Sequence, residues 1–109
     1  MIRIVLDNQG QDRLRRLTVE GHAGFSDQEH GGDIVCSAVS ALVGFLGITF
    51  TEVLPGAGSV QAADGYFELR LEPQPGQEAV VGLVMDGWCR SVRHLEENYR
   101  GWVKVEEQK

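Results

Sequence analysis

Between Val35 and Phe50 apolar residues recur every three or four positions, at Val35, Val39, Leu42, Val43, Leu46 and Phe50. That spacing lines one face of an α-helix, and a helix with such a face must pack it against something. Asp33 suits the N-cap, which puts Cys36 at the third helical position, inside the first turn. The helix is expected to end before Pro55. A second strip, Ser37, Ser40, Ala41, Gly44 and Gly47, is made of small residues. Each interior glycine costs about 1 kcal/mol relative to alanine, so close packing along this strip is expected to compensate.

The partner layer is legible as strands. Ile2, Ile4 and Leu6 alternate with Arg3, Val5 and Asp7, which reads as a half-buried strand. Asn8-Gln9-Gly10-Gln11-Asp12 is turn chemistry. Leu14, Leu17 and Val19 lead into a second strand, ending near Gly21-His22 and antiparallel to the first. Val60 and Ala62 precede Asp64-Gly65, a two-residue hairpin signal, and Phe67, Leu69 and Leu71 alternate on the far side. Pro73-Gln74-Pro75-Gly76 is a linker. Val81, Val84, Met85, Trp88, Val92, Leu95 and Tyr99 then predict a second helix, which Asp86-Gly87 would kink or split. Trp102, Val103 and Val105 close the chain as a short strand. The order β-β-α-β-β-α-β predicts an α+β fold, two helices packed on a mostly antiparallel sheet. Residues 1–109 make a single domain, and folding buries about two-thirds of the unfolded surface of a chain this size.

The net charge of −6 argues against direct nucleic-acid binding, which needs a basic surface. Cys36 and Cys89 form no C-x-x-C pair, and the N-terminal segment lacks the apolar core of a secretory signal. Reduced thiols and a cytoplasmic location are therefore expected. No stretch is expected to approach the ~20 apolar residues of a membrane span, so no membrane partner is expected either.

Chemistry concentrates in Gly21-His22-Ala23 and in Gly32-Asp33-Ile34-Val35-Cys36-Ser37-Ala38-Val39-Ser40-Ala41-Leu42. An imidazole precedes a glycine-rich loop, Gly24 to Gly32, read as mobile, and a thiol follows it at a helix start. A helix N-terminus favours negative charge, and the thiolate is the reactive form of cysteine. His22 and Cys36 thus read as a base and a nucleophile, with first-turn N–H groups, those of Cys36 or Ser37, as oxyanion donors. An isolated cysteine is most often a core residue, and Cys89, beside Trp88, is read that way. His30 reads as a solvated loop residue and His94 as a helix-end residue. His22, His30, Asp33 and Cys36 could instead form a metal module, but zinc sites prefer paired short spacings that are absent here. No cofactor or metal is expected.

On these residues the chain resembles the bacterial ribosomal-processing cysteine proteases, the Prp family. The specific motif covers residues 21 to 42, and the order of elements agrees along nearly the whole chain. The resemblance implies a small homodimeric endopeptidase with a His/Cys dyad. Such enzymes remove a short N-terminal extension from the precursor of large-subunit ribosomal protein L-twenty-seven, cutting after an aromatic residue near the end of an apolar segment. By position His22 matches the family's histidine and Cys36 its nucleophile, while Asp33 and Ser40 match polar positions near the site. There are two departures. The His-to-Cys loop is about two residues longer, as variable loops allow, and Ser37 stands where alanine is common. A non-enzymatic ribosome-assembly protein that retains the fold is the alternative.

Overall fold

The computed structural model describes residues 1–21 and 32–109, the side chain of Asp33 excepted. Five strands and two long helices follow in the expected order. These are β1 (Ile2–Asp7), β2 (Arg16–Glu20), α1 (Gly32–Ile48), β3 (Gly58–Ala63), β4 (Tyr66–Leu71), α2 (Glu78–Asn98) and β5 (Val103–Gln108). The sheet order is β3-β4-β2-β1-β5. The β1–β2, β2–β4 and β3–β4 pairs are antiparallel, whereas β1 and β5 run parallel. A parallel pair needs a crossover, and α2 supplies it between β4 and β5.

Alternation places Ile4, Leu6, Leu17, Val19, Phe67, Leu69 and Leu71 in one buried cluster, together with Val35, Val39 and Leu46 of α1 and Val81, Met85, Trp88 and Val92 of α2. The indole Nε1 of Trp88 donates to the Leu42 carbonyl oxygen at 2.8 Å, which ties the two helices together. The opposite face of the sheet carries charge. Glu68, only 4% exposed, sits between Arg16 and Arg70, and Arg3 pairs with Glu20 and Glu106.

Three expectations need correction. The first helix begins at Gly32, so Asp33 is its second residue rather than its cap, and Cys36 is its fifth. Helix α2 runs unbroken through Asp86-Gly87. Gly87 is exposed, so it costs only propensity, while Met85 and Trp88 hold the core on either side and Arg90 bridges back to Asp86 at 3.1 Å. Finally, Ile34–Val53, at 20 residues, is long and apolar enough to cross a membrane by composition. In this fold its inner face, Val35, Val39, Leu46 and Phe50, packs into the core. The helix stops as foreseen before Pro55, through a π-helical turn, Thr49–Val53, in which Leu54 N–H bonds Thr49 O at 2.7 Å.

Candidate active site

The architecture brings the first turns of α1 over one end of the sheet, where β1 and β4 begin and β2 and β3 finish. A cavity of about 380 Å³ opens there. Cys36, Val39, Ser40 and Val43 of α1 form one wall, and Ala62, Ala63, Asp64, Gly65, Tyr66 and Phe67 of the β3–β4 hairpin another. Ile2, Val19 and Gly21 complete the lining. Cys36 is half-buried and is not in a disulfide. Most of these side chains are apolar, and the polar atoms come chiefly from Cys36, Ser40, Asp64, Tyr66 and the backbone.

Gly21 shows why this end of the motif is glycine. Its φ is +96°, and a Cβ there would lie 2.5 Å from the carbonyl oxygen of Met1. Both conditions exclude an L side chain. Its N–H donates to Gly65 O at 2.9 Å, fastening the end of β2 to the hairpin turn. The residue before His22 is thereby held in the cavity wall opposite Cys36's helix. His22 itself, like His30 and the expected mobile loop from Gly24, lies outside the described residues, as does the side chain of Asp33.

Of the remaining site candidates, Ser40 shares the cavity with Cys36, one turn further along α1. Ser37 is exposed and outside the lining. The expected oxyanion donors also shift. As fifth and sixth residues of a helix that starts at Gly32, Cys36 and Ser37 have N–H groups engaged by i→i−4 bonding, and it is the N–H groups of the first turn that such a ladder does not use. The hairpin residues Ala62 to Phe67 were missed as site residues. Their turn was readable from Asp64-Gly65, but its approach to α1 is set by sheet order.

A larger cavity, about 570 Å³, opens at the other end of the sheet, against Leu14, Leu71, Val81, Met85 and Cys89. Burial pushes the Cys89 thiol up to about 11, which suits the packing role expected of it. Among the described residues no three His, Cys, Asp or Glu side chains are grouped to hold a metal ion.

Residues 1–104 match the family model described as cysteine protease Prp. The ribosomal processing cysteine protease Prp of Bacillus subtilis (strain 168) is 30% identical over 112 residues, covering 96% of each chain. The fold matches that of the essential ribosomal processing protease Prp from S. aureus in complex with a substrate peptide. The TM-score is 0.77 at 23% identity, over 99% of this chain and 100% of that one. SMU.848 from Streptococcus mutans is equally similar, with a TM-score of 0.77 at 25% identity over 99% of this chain and 97% of that one.

Proposed function

The chain belongs to the Prp family of cysteine proteases, and we propose that it trims the N-terminal extension of large-subunit ribosomal protein L-twenty-seven. The observation that carries this reading is the position of Cys36, half-buried in the lining of a largely apolar cavity near the start of α1. An extension that ends in apolar and aromatic residues matches such a lining in chemistry.

In the proposed reaction the Cys36 sulfur attacks the scissile carbonyl carbon, and His22 takes the thiol proton. The tetrahedral oxyanion develops at the positive end of α1, and first-turn N–H groups before Val35, which the helical ladder does not use, are assigned as its donors. His22 then protonates the leaving amine, and the C–N bond breaks to leave a thioester on Cys36. Water, deprotonated by His22, attacks that thioester and releases the carboxylate and the thiol. Ser40, in the same cavity, is assigned a hydrogen bond to the substrate backbone. Asp33 is assigned the support of His22.

The active form is proposed to be a cytoplasmic homodimer that pairs through the outer face of α1. Ile34, Phe45 and Ile48 are 61%, 50% and 55% exposed, and they follow a near-heptad spacing with Ala38 and Ala41. Together they present roughly 300 Å² of apolar surface, within the range of the largest patch on a typical monomer, which is often functional. Phe45→Glu is expected to shift the sedimentation coefficient to that of a monomer; an unshifted dimer would rule this face out.

The test of function is incubation with the extended precursor, followed by intact mass and N-terminal sequencing of the product. One cut near the end of the extension is expected. A precursor left whole by folded protein would move the reading to the ribosome-assembly role without catalysis.

A further inference from the structure

The two edges of the sheet are built differently. Edge strand β5 carries Lys104, Glu106 and Glu107, with Glu106 paired to Arg3 and Glu107 to Arg93 at 2.7 Å. Charges of this kind keep a further strand from adding. The opposite edge, β3, reads Gly-Ser-Val-Gln-Ala-Ala, with no charge, no proline and mostly small side chains. Among the described residues nothing pairs with its outer side.

The hairpin geometry fixes which backbone groups face outward. The Asp64-Gly65 turn joins Ala63 to its partner Tyr66, and the closing pair of a two-residue hairpin exchanges both its hydrogen bonds. Ser59, Gln61 and Ala63 therefore bond inward to β4. Two bonds agree with this phase: Glu72 N–H to Ala57 O at 2.8 Å below the strand, and Leu71 N–H to Arg15 O at 2.8 Å on the far side of β4. Gly58, Val60 and Ala62 are left with N–H and C=O groups directed away from the sheet. This row ends at Ala62, which lines the Cys36 cavity.

We propose, on the protease reading above, that the substrate binds as a sixth strand on β3. The backbone groups of Gly58, Val60 and Ala62 hold an extended apolar segment and lead it into the Cys36 cavity. Backbone pairing accounts for grip without side-chain identity, while the cavity selects the side chain next to the cut.

Two measurements of kcat/KM test this. Ala62→Pro removes an outward N–H and leaves the β4 ladder intact, because proline is tolerated where an edge N–H faces solvent. A loss of about tenfold or more on the extended precursor is expected, with circular dichroism and the rate of Cys36 alkylation by iodoacetamide unchanged. In parallel, the wild-type protein is given peptides N-methylated singly at successive positions, which requires no fold to survive a mutation. Losses at alternate positions, with little effect between them, are expected of a paired strand. Folded Ala62→Pro protein with unchanged kcat/KM, or N-methyl losses without alternation, would overturn the sixth-strand inference and leave the protease reading standing. Failure of the wild-type protein to cut any extended peptide would remove both.

Discussion

Cys36 and Cys89 are both half-buried, both lie on helices and both line cavities, and the cavity at Cys89 is the larger. What separates them is their placement along the helix and their surroundings. Cys36 lies in the opening turns of α1, where the positive end of the helix meets the β3–β4 turn and the glycine before His22. Cys89 lies in the middle of α2, where no backbone donor is free and burial holds its thiol neutral. On the proposed assignment of Cys36 as the nucleophile, helix position separates the two thiols and cavity size does not.

The contrast can be broken most sharply at Cys36. Cys36→Ala is expected to abolish precursor cleavage with the thermal midpoint little changed, read by intact mass and calorimetry. His22→Ala should slow cleavage by about 10²-fold or more, the scale of a lost general base, without changing precursor binding to a Cys36→Ala background. Gly21→Ala acts on the frame that carries His22. A Cβ placed 2.5 Å from Met1 O at φ +96° should cost about 2 kcal/mol or more, visible as a lower Tm together with reduced kcat.

The effects at the other end should be smaller. Since the Cys89 thiol is raised to about 11, its thiolate fraction at pH 7 is roughly 10⁻⁴, so iodoacetamide should reach Cys36 first. Alkylation of Cys89 should climb about tenfold per pH unit and level off only near pH 11. The unfolded chain releases the Cys89 proton near pH 9 while the folded chain holds it. Stability should therefore fall as pH rises from 9 through 11, and Cys89→Ser should flatten that slope. At neutral pH Cys89→Ser should leave cleavage unchanged, and a large loss of activity there would erase the distinction between the thiols.

How far the sequence foretold this depends on which forces are local. The strand alternations of Ile2 to Leu6 and Phe67 to Leu71, and the helical spacing of Val35 to Phe50, report burial directly and were readable. The parallel pairing of β5 with β1 was not, because register across a crossover is decided by the whole sheet. The kink expected at Gly87 failed because flanking core contacts outweigh one exposed glycine. Cys36 and Ser40 were legible as neighbours one helical turn apart. Their opposing wall, Ala62 to Phe67, was not, since only the sheet order places that turn beneath α1. The expected oxyanion donors, the N–H groups of Cys36 or Ser37, rested on an aspartate cap, and the helix begins two residues earlier than that cap implied.

The most direct test of the assignment is to react the protein with a chloromethyl ketone made from the apolar, aromatic-ended segment of the extension, and to map the adduct by peptide mass. A single adduct on Cys36, blocked by excess precursor and absent in Cys36→Ala, is the expected result. An adduct on Cys89 alone, or undiminished precursor cleavage by the Cys36→Ala protein, would contradict the assignment of Cys36 as the nucleophile.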